Sequence, residues 1–152
     1  MLIDPRGARF AAWITTVVLA TVLVTGSGWL LAGQALVFAV GALAGMPRAP
    51  YGLVFRYLVA PRLAKPTELE PAAPPRFAQA VGLLFAVLGT VGYLTGLTVL
   101  GAGATAAALA AAFLNAAFGF CLGCELYLIL RRARPASHTT TPANHTTKGV
   151  TA

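Results

Sequence analysis

Phe10-Ala-Ala-Trp-Ile-Thr-Thr-Val-Val-Leu-Ala-Thr-Val-Leu-Val24, with the apolar run next to it, decides the fold. The stretch carries no charge. Thr25-Gly-Ser-Gly28 interrupts it, and Trp29 to Gly45 continues uncharged as far as Met46-Pro47-Arg48. Each run has about 16 to 18 residues, near the lower limit of roughly 17 for a helix that spans a bilayer. Together they predict a tight helical hairpin. A second pair lies further along: Phe77 to Leu94, rich in Gly, Val and Leu, then Ala102 to Ala117, dominated by alanine. The uncharged turn Thr95–Gly101 joins them. A charged start before an apolar core also fits a cleaved signal peptide. Three further apolar segments and no secreted-type domain come after it, so the first run is read as a span.

Composition agrees. Of the 152 residues, 58% are hydrophobic and 10% are charged. A soluble domain carries about 25% charged residues, and so few could not cover its surface. The expected class is an all-α integral membrane protein with four transmembrane helices in two hairpins, each followed by a short interfacial helix. The formal charge of +7 is spread over short stretches beside the apolar runs. It forms no broad basic patch with interleaved aromatics, which argues against nucleic-acid binding and for contact with the lipid bilayer. With four spans, Arg6, Arg9, Arg48, Arg56, Arg62, Lys65, Arg76 and Arg131 to Arg134 fall on one side, and both hairpin turns are uncharged. The positive-inside rule then makes the chain a multi-pass protein of the cell membrane with both termini cytoplasmic.

The expected domain covers 1–134, with spans at about 10–25, 29–45, 77–95 and 102–118 and interfacial helices at 50–63 and 119–131. Asp4-Pro5-Arg6-Gly7 suits a turn, and Lys65 to Pro75 a loop. The first interfacial segment, Pro50 to Pro61, is mostly apolar with Arg56 at its centre, and too short to span. Residues 135–152 lack apolar period and are expected to be a disordered cytoplasmic tail. Asn144-His-Thr146, within it, is read as a chance sequon in a Thr-rich segment.

Arg9-Phe10-Ala11 opens the first hairpin and Arg76-Phe77-Ala78 the second. At the same offset Tyr51-Gly52-Leu53 falls on Phe118-Gly119-Phe120. This pattern suggests a two-fold repeat of hairpin plus interfacial segment; the plain alternative is that small-residue helices look alike. The repeat ends the fourth span near Ala117 and places both cysteines of the chain, Cys121 and Cys124, in the interfacial element.

Cys-x-x-Cys is a redox and metal spacing. On a first helical turn the sulfurs lie close enough to bridge, and the exposed N–H groups lower a thiol pKa. Cys121 would attack a partner disulfide or sulfur donor, and Cys124 would resolve the mixed disulfide. Glu125 would take up a proton or complement the helix N-terminus. Gly119 and Gly123 would allow a break before the helix and close approach by a partner. The competing reading is that the cysteines only pack. A thiolate site for copper(I) or zinc would need four sulfurs and hence a dimer, and no methionine track supports copper transport. Asn115 suits a hydrogen bond to a neighbouring helix, and Gly41-x-x-x-Gly45 and Gly92-x-x-x-Gly96 suit packing within the monomer. The four runs hold no Asp, Glu, Lys or Arg, which demotes ion-coupled transport. No Ser/His/Asp set, P-loop or paired carboxylates supports a hydrolase or NTPase, and no cofactor is implied.

Asp4-Pro5-Arg6-Gly7, Arg9-Phe10, Pro50-Tyr-Gly52, Pro75-Arg-Phe77-Ala-Gln79 and Ala117-Phe-Gly-Phe-Cys-Leu-Gly-Cys124 resemble the actinobacterial membrane family filed as domain of unknown function 4395, over roughly residues 3–132. Genes of that family tend to lie near those of thioredoxin-like and sulfurtransferase proteins. The resemblance therefore implies a redox or sulfur-relay role for Cys121 and Cys124, with a soluble partner of one of those kinds. The favoured function is a membrane-embedded thiol–disulfide or sulfur-relay component. A non-catalytic membrane anchor or assembly subunit, and a metal-thiolate or small-molecule carrier, are the alternatives. Oligomeric state is left open.

Overall fold

A computed structural model describes residues 2–66 and 69–133; the tail expected to be disordered lies outside them. Helix α1 runs from Pro5 to Thr25, so the turn expected at Asp4–Gly7 is instead a helix start. Asp4 is the N-cap: its carboxylate accepts the Arg6 backbone N–H at 2.9 Å and pairs with the Arg6 guanidinium at 3.0 Å. Pro5 sits in the first turn, where no N–H is needed. Burial opposes ionisation of Asp4, but the hydrogen bonds and charge of Arg6 outweigh it and hold the carboxyl below its ordinary value.

Helix α2 runs from Gly28 to Ala44, capped by Ser27, whose hydroxyl accepts the Leu30 N–H at 3.3 Å. A 3-10 turn at Met46–Arg48 leads into α3, Pro50–Val54, which continues as a π-helical turn over Phe55–Val59 and a 3-10 turn over Ala60–Arg62. Helix α4, Ala73–Leu94, begins inside the stretch expected to be loop. Its prolines occupy the first turn, the one helical position that tolerates them. The second hairpin turn is also tighter than expected, because α5 starts at Thr98 and runs to Phe118. Helix α6 covers Leu122–Ala133. Among the described residues the only departure from an all-α fold is a two-residue antiparallel pairing of Leu2–Ile3 with Glu70–Pro71.

Helices α1, α4 and α5 are long and apolar enough to cross a membrane; α2 is apolar but shorter. Helix α4 packs along both α2 and α5, and α1 packs along α5, whereas α1 and α2 share little contact despite their short turn. The core is drawn from all four: Leu19, Val22, Leu31, Phe38, Ala86 and Ala108. Each Gly-x-x-x-Gly pair divides its work. A Cβ on Gly92 would stand 2.9 Å from Gly101 Cα, and one on Gly41 would meet Gln79, so these two glycines allow close helix contact within the chain. Gly45 and Gly96 instead end their helices with φ of 88° and 82°. The outward faces stay apolar, with Trp29 77% and Val99 86% exposed.

Two arginines tie the halves together at one end. Arg76, in the first turn of α4, donates to the carbonyls of Ala42 and Leu43 at 3.1 and 2.8 Å. Arg9, near the start of α1, donates to the carbonyl of Ala116 at 3.4 Å. Each cation therefore meets the unsatisfied, partly negative end of a helix from the other half. These contacts place the start of α1 beside the end of α5, and the start of α4 beside the end of α2. The constant offset expected of a repeat does not survive the second helices. Gly119 ends α5 with a positive φ, as Gly45 ends α2, while Gly52 lies inside α3. Most of the shift comes from length, since α5 has 21 residues and α2 has 17, and the rest from the later start of α5 at Thr98.

Candidate functional site

Helix α5 must stop before the cysteines for α6 to start on them. Gly119 does this with φ 70°, its N–H bonding to Asn115 O at 3.0 Å while the Phe120 N–H reaches Leu114 O at 3.3 Å. Left-handed backbone here satisfies the last carbonyls of α5 and turns the chain. Cys121 then stands at the head of α6. Its carbonyl accepts the Glu125 N–H at 3.0 Å and its Sγ accepts the Cys124 N–H at 3.3 Å. Sulfur thus occupies the position that a serine or aspartate oxygen takes in an ordinary cap. The two Cα atoms are 5.1 Å apart and the sulfurs are joined as a disulfide. Both cysteines are half-buried. The Cys121 sulfur therefore faces a backbone N–H at the partly positive end of α6.

Helix α6 is held on α4. A Cβ on Gly123 would lie 2.6 Å from both Cα and Cβ of Ala78, and the Tyr127 ring sits 5.7 Å from that of Phe77. The close approach that Gly123 was expected to offer a partner is therefore taken up by α4. Glu125 is exposed in the first turn, where its charge complements the helix N-terminus. Asn115 lies one turn before Gly119.

Beneath the disulfide is a cavity of about 790 Å³, within the range of roughly 300–1,000 Å³ usual for small-molecule sites. Cys121, Cys124 and Glu125 line it together with Arg9, Gln79 and Asn115, over walls that include Ala108, Ala111 and Phe85. Arg9 is close by, its guanidinium carbon 3.9 Å from where a Cβ on Gly119 would stand. So the structure gathers all three predicted site residues and adds Arg9 and Gln79. The sequence signal for the cavity is the run Ala106–Ala112, side chains too small to fill a bundle. A second polar group gives no sequence signal: Gln34, 2% exposed, accepts a hydrogen bond from the Tyr51 hydroxyl at 2.7 Å, and burial pushes that phenol up. Among the described residues no three His, Cys, Asp or Glu side chains gather as a metal site would require.

No curated protein and no solved structure matches the chain. The model of one family, described as a domain of unknown function (DUF4395), matches residues 3–132, and the chain belongs to that family.

Proposed function

We propose that this family member is a membrane-embedded thiol–disulfide exchange component that works with a soluble thioredoxin-like or sulfurtransferase partner. In this reading α1, α2, α4 and α5 all cross the bilayer as two hairpins. At about 1.5 Å per residue α2 is roughly 26 Å long, short of a hydrocarbon core of about 30 Å but within what local thinning accommodates. The arginines at the shared end of the four helices support, by the positive-inside rule, a cytoplasmic orientation of that end and of the cysteine pair. Arg9 and Arg76, each capping the second helix of the opposite half, support an origin by duplication.

The observation that carries the reading is the Cys124 N–H on Cys121 Sγ at the head of α6. A partner thiolate attacks Cys121 of the disulfide. The S–S bond opens, a mixed disulfide forms on Cys121, and Cys124 leaves as a thiolate that takes up a proton. The partner's second thiolate then attacks its own sulfur in the mixed disulfide and releases Cys121. The partner departs oxidised, and the pair has gained two electrons. Run in reverse, the same steps oxidise the pair. Glu125, exposed one residue from Cys124, serves as the local proton acceptor.

In membranes carrying Cys124→Ser, an oxidised thioredoxin-like protein should be trapped on Cys121 as a mixed disulfide. A reductant should release it, and Cys121→Ser should not form it. If neither cysteine of the reduced protein reacts with a small maleimide in intact membranes, the pair only packs and the proposal fails.

A further inference from the structure

We infer that the cavity beneath the disulfide binds a lipid-soluble quinone, which takes two electrons from the reduced Cys121–Cys124 pair. This rests on the exchange function proposed above and adds its second substrate. A pair that receives electrons from a soluble dithiol needs an oxidant, and the cavity is built for one that arrives through lipid. It extends from the head of α6 to Phe85 on α4. That level is roughly 18 Å from the start of α4 at about 1.5 Å per residue, well below any headgroup layer at that end. Its deep walls are apolar and made shallow by Ala108 and Ala111, which leaves room for a flat ring and the first units of a prenyl tail. Most of its polar groups stand toward the end that carries the sulfurs, Arg6, Arg9, Glu70, Gln79, Asn115 and Glu125 among them; Thr15, further along α1, is the deeper exception. No side-chain hydrogen bond joins either amide to another described residue; the Gln79 amide oxygen packs toward Gly41 of α2, which leaves Asn115 as the amide to donate to a ring carbonyl. A phospholipid acyl chain would use the walls but not these donors, and a soluble oxidant would use the donors but not the walls.

The step balances. Both cysteines lose their S–H protons and one electron each, the S–S bond forms, and the two quinone carbonyl oxygens become hydroxyls. With a partner dithiol reducing the disulfide in turn, electrons flow from the aqueous partner through the pair into the lipid phase.

The test uses the full chain in quinone-free lipid nanodiscs, reduced and freed of reductant under anaerobic conditions. The probe is decylubiquinone, whose fully substituted ring cannot add thiols. The wild type should form one quinol and one disulfide per chain, at least tenfold faster than an equal concentration of dithiothreitol reduces the probe. Ala111→Phe, which fills the cavity, should slow this at least tenfold, while Ala110→Phe, on the exposed side of the same helix, should not. Asn115→Leu, a milder change in shape, should raise the quinone concentration for half-maximal rate several-fold. The inference is overturned by a wild-type rate no faster than dithiothreitol, or by rates that Ala111→Phe and Asn115→Leu both leave unchanged. The same reduced protein is challenged in parallel with an oxidised thioredoxin-like protein. Exchange there without quinone reduction sinks only the quinone site; reaction in neither arm removes the exchange function as well.

Discussion

Each apolar helix pair is followed by an amphipathic segment, and the two segments are held in different ways. The first, Pro50–Arg62, is irregular, passing from α to π to 3-10 geometry, yet it is anchored deeply. Phe55 is 7% exposed, its ring is 5.7 Å from Phe10, and Gly52 is pressed against the Met46 carbonyl. The second, α6, is a regular helix with no fully buried residue, fixed by Gly123 on Ala78 and by Tyr127 on Phe77. The arginines follow the same division. Arg76 makes two short bonds to the end of α2, and Arg9 makes one long bond to the end of α5, beside the disulfide. The half without cysteines is held by buried groups; the half with them is held by surface packing of α6 on α4, an arrangement compatible with the exchange proposed above.

The sharpest break of this comparison is chemical. Either Cys121→Ser or Cys124→Ser should lower complete exchange with a partner disulfide by at least ~100-fold, since one sulfur alone cannot finish the cycle. No substitution on the exposed face of Pro50–Arg62, such as Leu53→Ser, should do so; rates measured on the purified full chain decide it. Packing comes next. Gly52→Ala drives a methyl group into a backbone carbonyl that cannot move aside and should cost about 3 kcal/mol, whereas Gly123→Ala should cost about 1 kcal/mol and loosen α6 alone. Thermal unfolding in detergent gives both numbers, and amide exchange in α6 shows whether the loosening stays there. Equal losses would mean that the two segments are equally anchored.

The arginines give a smaller contrast. Arg76→Ala should lower stability by about 1 kcal/mol and Arg9→Ala by roughly half as much, from two charge-assisted bonds against one weak one. An equal loss would remove the distinction between the two halves. Smallest is the cap on α1. Asp4→Asn should cost about 0.5 kcal/mol near neutral pH, because the amide still caps but loses the ion pair. The folded pKa of Asp4 is depressed, so its contribution is complete above the ordinary carboxylate range and lost as pH falls through the folded value. An acid titration of stability should therefore be flatter in the variant over that window.

Much of this was legible in the chain. The uncharged runs after Phe10 and Phe77 show as helices because length and absence of charge leave few alternatives. Cys-x-x-Cys at the head of a helix is set by Gly119, where a run of good helix formers meets a residue free to turn left-handed. Other features mislead for a physical reason. Asp-Pro-x-Gly and Ala-Pro-Pro serve turns and helix starts equally, and the choice is made by what the next turn packs against. The cavity has only an indirect signal, the run Ala106–Ala112, which reads as a helix former until other helices surround it. Gln34 is explained only by Tyr51, which approaches it from the segment after α2.

The order of packing has a consequence for how the chain is made. Helix α1 lies chiefly on α5, and α2 on α4, so when the first two helices leave the ribosome their true neighbours have not yet been synthesised. The first two helices gain most of their packing only once α4 and α5 are present. Biogenesis should therefore finish in a single late event, and a chain cut short before α5 should be cleared as an orphan rather than persist as a working half.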